Sequence, residues 1–142
     1  MAVKNYDPKN IILTVGTQAL GGFADGTFVE MEFDDDFFKK KVGVDGEVTR
    51  IKTNNFTGQF RFTLDQASPS NDHLSTLMLL DKASNAGAVP ISMVDKNGTT
   101  KVVSDAGWIK KPPTIGFSGD SENREWVIDC GQTEAFVGGH ST

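Results

Sequence analysis

Apolar and polar positions alternate most cleanly over Gly58–Asp65 (GQFRFTLD), with Phe60, Phe62 and Leu64 on one side and Gln59, Arg61, Thr63 and Asp65 on the other. That is the period of a strand with one face on a core. A second alternation covers residues 27–33 (TFVEMEF), setting Phe28, Glu30 and Glu32 against Val29, Met31 and Phe33, the expected core face. Asp25-Gly26 opens this strand with a turn and Asp34-Asp35-Asp36 ends it. Ile11–Val15 (IILTV) reads as a first strand, closed by Gly16 and a small-residue turn through Gly21-Gly22. Residues 89–94 and 99–103 flank Lys96-Asn97-Gly98, a hairpin signal because Asn-Gly suits the positive φ of a type I′ turn. Residues 107–109 begin a further strand, interrupted at an edge or bulge by Lys110-Lys111-Pro112-Pro113, and residues 125–130 (EWVIDC) form the last.

The period lengthens to that of a helix over residues 69–83. Ser68 can cap it, Pro69 fits the first helical position, Asp72 suits the dipole, and Leu74, Leu77 and Met78 share a face. The pattern ends at Ser84-Asn85-Ala86-Gly87. Six to eight strands with one helix after the middle strand predict a mainly β fold, an antiparallel β-barrel or sandwich with one flanking helix.

Residues 37–55 fit neither pattern. Short pieces bearing Val42, Val44, Val48 and Ile51 surround Asp45-Gly46, among dense mixed charges from Lys39, Lys40, Lys41, Asp45, Glu47 and Arg50. The segment predicts an extended hairpin arm that buries little against its own body. A lone two-stranded hairpin is marginal in water, so a partner surface is expected to hold it, which makes these ten residues candidates for an inter-subunit contact. The tail 138–142 is small and polar and reads as loose. Without a repeat or linker, residues 1–142 read as one domain.

Composition excludes more than it selects. The formal charge of −5 argues against a nucleic-acid binder, which needs clustered cations to displace counterions. Ten Phe against one Tyr favour buried aromatic packing over a Tyr-rich recognition surface. Cys130 is the only cysteine, which precludes an intrachain disulfide. The N-terminus has no apolar signal core and no run approaches the roughly 18 apolar residues of a membrane span, so a soluble chain without a cleaved signal or membrane insertion is expected.

Candidate chemistry is thin. Asp34-Asp35-Asp36 lacks the alternating acids, Gly and terminal Glu of a calcium loop and reads as solvated. The two histidines have no nucleophile context: His73 is expected exposed on the helix and His140 lies in the tail. Glu30 and Glu32 share a strand face, the arrangement of a carboxylate pair in hydrolases, but no sugar-stacking Trp lies near them in sequence. Lys39-Lys40-Lys41 and Lys110-Lys111 are too local for a phosphate-binding surface. Trp108 and Trp126 fit core or interface anchoring, or a ligand-binding β-sandwich module as the rival reading. Cys130 fits an inert buried thiol. No catalytic, metal or cofactor residue emerges.

The segments YDPKNIILTVG, FADGTFVEME, KKVGVDGEVTRIKTNN, GQFRFTLDQASPSND and WIKKPPTIGFSGDSENREWVIDC, in that order over residues 6–131, resemble the tail tube proteins of contractile-tailed bacteriophages. The resemblance implies a structural subunit, not an enzyme, six copies of which close into rings that stack into a hollow tube inside the sheath. It implies a sheath, a baseplate or tube initiator and a tape measure protein as partners, DNA passing through the lumen without specific binding, and a place in the virion tail after assembly in the host cytoplasm. Tubes of tailocins and of type VI secretion are the related alternative. Within that picture the arm bridges neighbours, and the polar positions Glu30, Glu32, Gln59, Arg61 and Thr63 become candidates for the lumen wall.

Overall fold

The computed structural model describes residue 3, residues 6–26 and residues 28–139; Thr27 and His140 lie outside them, as do residues 141 and 142 of the expected loose tail. Among the described residues ten strands form: β1 (Ile11–Val15), β2 (Gln18–Ala19), β3 (Val29–Phe33), β4 (Phe38–Val42), β5 (Val48–Lys52), β6 (Gly58–Asp65), β7 (Val89–Asp95), β8 (Lys101–Lys111), β9 (Asn123–Cys130) and β10 (Thr133–Phe136). One α-helix, α1 (Ser70–Ser84), follows β6. Eight strands make one antiparallel sheet in the order β2-β1-β7-β8-β9-β6-β3, with β10 paired to β8 beyond the end of β9. The arm is a separate two-stranded sheet of β4 and β5. The end strands β2 and β3 are not paired with each other, so the mainly β expectation holds but the sheet does not close into a barrel.

Register places the core. Val29, Phe62 and Trp126 lie opposite one another across β3, β6 and β9, as do Met31, Phe60, Ile128 and Ile109 across β3, β6, β9 and β8. The next row, Phe33, Gly58, Cys130, Gly107 and Val89, is small at its centre. A Cβ at Gly58 would sit 2.6 Å from the Glu32 carbonyl oxygen, and one at Gly107 would run into Ile91 Cδ1. Strand bodies therefore approach closely where side chains vanish. Phe60, Phe62, Leu64, Leu13, Ile91 and Ile128 are fully buried on this face, and Leu74 of α1 seals it.

The helix starts as its sequence signals dictate. Pro69 has helical φ −67° and ψ −14°, and the Ser70 amide donates to Ser68 Oγ at 3.3 Å, the contact of a capping serine. At the other end Asn85 caps in the left-handed region, φ 57°. Leu74 is buried and Leu77 and Met78 partly so, while Leu79 and Leu80 face solvent.

Four local expectations are corrected. The Asn97-Gly98 hairpin forms, but neither residue takes a positive φ. The Asp95 carboxylate accepts the Asn97 amide at 3.0 Å and the Asp95 carbonyl accepts the Gly98 amide at 3.2 Å, so a local side-chain turn replaces the type I′ geometry. Residues 107–109 do not begin a new strand; β8 runs continuously through Asp105, bent by a register shift opposite Val89 and Ile91. Gly138 and Gly139 are tied down, not loose: Gly138 exchanges hydrogen bonds with Thr100 Oγ1, and the Gly139 carbonyl accepts the Thr99 amide at 3.1 Å. His73 is half-buried, its Nε2 donating to the Val15 carbonyl at 3.1 Å.

A second polar contact, besides that of His73 with Val15, ties helix to sheet. The buried Trp126 Nε1 donates to Asn71 Oδ1 at 2.9 Å, while Asn71 Nδ2 donates to the carbonyls of Asp65 and Ser68 at 3.0 and 3.1 Å. Asn71→Ala leaves the buried indole N–H without its acceptor, while the Asp65 and Ser68 carbonyls keep the backbone amides of Ser68 and Asn71, a cost of about 1–3 kcal/mol. Thermal unfolding of the unassembled subunit should then show a Tm lowered by roughly 4–12 °C; an unchanged Tm would mean that this contact contributes nothing to stability.

Candidate assembly surfaces

The arm pairs Phe38 with Lys52 at its base and Val42 with Val48 at its tip. Residues 43–46 reverse the chain, with Gly46 at φ 85° and its amide on the Gly43 carbonyl at 3.0 Å. All ten strand residues are exposed, and Val44 at the tip is fully so. Register sets Phe38, Lys40, Val42, Val48, Arg50 and Lys52 on one face, where the Arg50 guanidinium lies 4.2 Å over the Phe38 ring. Lys39, Lys41, Thr49 and Ile51 occupy the other.

The charges of the arm are less mixed than their order along the chain suggests. Both acids, Asp45 and Glu47, sit at the turn, and the strands carry only Lys39, Lys40, Lys41, Arg50 and Lys52. Residues 37–55 are therefore net +3, which leaves −8 on the rest of a chain of net −5. The subunit is electrically two-ended.

The arm is rooted by aromatics. The Phe37 ring meets Phe33 and Phe56 edge-on at centroid distances of 4.9 and 4.8 Å. The Thr53 amide and hydroxyl both bond the Phe37 carbonyl, at 3.0 and 3.2 Å, closing the base of the hairpin. Beyond this anchor the arm stands clear of the body.

Glu30, Glu32, Gln59, Arg61 and Thr63 come together on the sheet face opposite the core, with Glu30 beside Arg61 and Glu32 beside Gln59. The face continues across β9 through Glu125, Val127 and Asp129 and reaches Trp108 on β8. Arg61 is held by two acids, Nη1 3.4 Å from Glu30 Oε1 and Nε 3.7 Å from Glu125 Oε1. Such exposed pairs add little stability, but they mask the charge of Arg61. Lys111, at the end of β8, joins the face beside Val127, which itself lies opposite Arg61. Sequence reasoning missed Glu125 and Asp129, although the alternation of EWVIDC, with Trp126, Ile128 and Cys130 inward, contains the signal.

The other candidates disperse. Trp126 is 2% exposed in the core and Trp108 is 39% exposed on the opposite face, so the two cannot form one ligand platform. The Asp34 carboxylate accepts the Thr57 hydroxyl at 2.9 Å across the root of the arm, and Asp35 accepts the Asp36 amide next to it in sequence. Cys130 is buried, its thiol donating to the Gly58 carbonyl at 3.1 Å. A cavity of about 270 Å³ lies under the loop after β8, lined by Met78, Ile115, Phe117, Arg124 and Trp126, without a nucleophile–base pair.

The family described as the Bacteriophage PhiTE tail tube protein matches residues 12–138. "Structural protein ORF10" of Pseudomonas phage KPP10 is 29% identical over 143 residues, covering 95% of this chain and 83% of that protein. Among solved structures, the tube-terminating cap of the anti-feeding prophage aligns with a TM-score of 0.65 at 10% identity, over 96% of this chain and 95% of that one. The sheath/tube terminator of the PVC extracellular contractile injection system in its extended state gives 0.67 at 11% identity, over 96% and 100%. A chain of the PVC sheath–tube complex in its extended state gives 0.57 at 11% identity, over 94% and 92%. At these identities the solved structures share the fold.

Proposed function

Because the chain belongs to the Bacteriophage PhiTE tail tube protein family, a family of structural proteins and not of enzymes, we propose that it closes into hexameric rings that stack into a hollow conduit for DNA inside a contractile sheath. The observation that carries the proposal is the arm: ten exposed strand residues, five of them Lys or Arg and four large and apolar, rooted on the body by one aromatic stack. A surface so composed gains its order from neighbours. The open sheet supports the same reading, since β2 and β3 each leave an edge that a neighbouring copy can pair and cover. A head-to-tail interface that closes after a fixed rotation makes a ring, and obligate contacts of this kind bury on the order of 2,000 Å² or more.

In this assembly the face bearing Glu30, Glu32, Gln59, Arg61 and Thr63 lines the lumen. Its excess of carboxylates, with Arg61 masked, offers DNA no array of free cations, so passage releases few counterions and creates no binding site. The sheath surrounds the tube, a baseplate or tube initiator nucleates it, a tape measure protein sets its length, and the subunit is assembled in the bacterial cytoplasm into the virion tail. The phage origin of the family and of the 29% identical relative favours a DNA-conducting tail over the tube of a tailocin or type VI-like machine. Negative-stain microscopy and sedimentation of the purified protein test the proposal: rings or tubes are expected. A protein that stays monomeric at every concentration, and does not polymerise on purified baseplates, would overturn it.

A further inference from the structure

The end of the molecule remote from the arm carries the arm's complement. The arm leaves the body where Phe33 faces Gly58, and β6 then runs eight residues to Asp65, which faces Asn123. At about 3.4 Å per residue the two ends stand roughly 24 Å apart. Gathered around the far end are Asp25, Asp65, Asp120, Glu122 and Glu125, against Lys9, Lys110 and Lys111. The segment there, residues 112–122 between β8 and β9, also exposes Ile115 and Phe117 at 73% and 78%.

These apolar residues are held out. Arg124, buried beneath them, donates through Nη2 to the Gly116 carbonyl at 2.9 Å and to Gln66 Oε1 at 3.3 Å, and its guanidinium lies 5.4 Å from the Phe117 ring. The Glu122 amide donates to Gln66 Oε1 and the Ser121 hydroxyl to Asp65 Oδ1, both at 3.2 Å. The one guanidinium at the loop's root is thus engaged inside the subunit, and a fixed loop presents two large apolar side chains beside uncovered acids.

We infer that residues 112–122 and the acids flanking them are the receiving surface for the arm of a second copy of this chain. The arm brings Phe38, Val42 and Val48 to Ile115 and Phe117, and the three cations of the same face, Lys40, Arg50 and Lys52, to Asp120, Glu122 and their neighbours. Donor and acceptor lie at opposite ends of one subunit, so the contact is heterologous and can repeat from copy to copy along a stack. Like other contacts between exposed charges it weakens with salt. The inference rests on the reading of the arm as an inter-subunit element and adds where it lands.

A charge exchange tests it. Lys40→Glu with Arg50→Glu, and separately Asp120→Lys with Glu122→Lys, should each lose most sedimentable polymer while keeping a monomer of unchanged circular dichroism. The four-substitution protein should regain it. In parallel, Val44→Cys with Phe117→Cys should give interchain disulfide ladders on oxidation of assembled tubes, and neither single variant should. Wild-type assembly by the loop-reversed protein, or the absence of ladders in tubes, overturns the landing site. Loss of tubes on removing the arm, seen alongside either result, would leave the arm's role standing and show that it docks elsewhere.

Discussion

A chain in which residues 38–52 are replaced by a short Gly-Ser link is expected to fold normally and to form no tubes. The cut falls where the structure has already closed the hairpin: Phe37 and Thr53 are hydrogen-bonded, and Phe38 and Lys52 face each other across one rung. Phe37 stays between Phe33 and Phe56, so the body keeps its aromatic anchor. Every strand residue removed is exposed and none belongs to the core, so the monomer's melting transition should change little. Assembly should respond very differently. The deleted segment holds all the residues expected to bridge neighbours, and without it the remainder of the chain carries −8, so copies repel instead of attracting. Circular dichroism melts, sedimentation and negative-stain images would report both halves of the result. Tubes of normal appearance from the shortened chain would refute the arm's role; the wider deletion of residues 37–55 would be harder to interpret, because it also removes Phe37.

The contrast between arm and body also separates what the sequence makes legible from what it hides. β6 is read to the residue because its alternation is uninterrupted, every second side chain being half-exposed on a strand lying against one core, and β1 because a short apolar run is closed by Gly16. The arm is legible for the opposite reason, a charged stretch with too few apolar residues to pack on its own body. What alternation cannot convey is which strand lies beside which. β6 pairs with β9 across 57 intervening residues, and the Arg61–Glu125 contact follows from that pairing and from nothing local. β10 escapes because TEAF is four residues long and contributes only Thr133 to the core. β8 reads as two pieces because Asp105 and Gly107 look like breaks. In the structure they mark a bend, where Ile91 fills the space a Cβ at position 107 would take. The two-ended charge of the subunit is a third kind of information. Its residues are all visible in the sequence, but only the strand register shows that the acids of the arm stay at its tip, and only the sheet shows that Asp65 and Asp120 gather at the opposite end.

The other large effect is expected at the sheet face opposite the core. Glu30→Lys with Glu32→Lys should leave tube assembly intact and strongly impair DNA delivery. Both side chains are exposed on an edge strand whose core-facing residues are Val29, Met31 and Phe33, so neither change touches the packing. Each subunit shifts by four charges, and the shift is larger in effect than in count, because Glu30 also masks Arg61. Removing that carboxylate leaves Arg61 with Glu125 alone, 3.7 Å away, and adds a freed guanidinium to the two new lysines. Repeated around every ring and along every stacked ring, these cations turn a surface that releases few counterions into one that binds phosphate. Each phosphate neutralised steepens the salt dependence of binding by about 0.9 in log K against log salt. The variant's defect in DNA ejection should therefore be severe at low salt and recover as salt rises, whereas a defect in assembly or folding would not recover. Glu30→Gln with Glu32→Gln should fall between, since it unmasks Arg61 without adding cations. Measured as ejection from purified particles over a salt series, unchanged ejection by the lysine variant would place this face away from the DNA while leaving the subunit's role in building the tube intact.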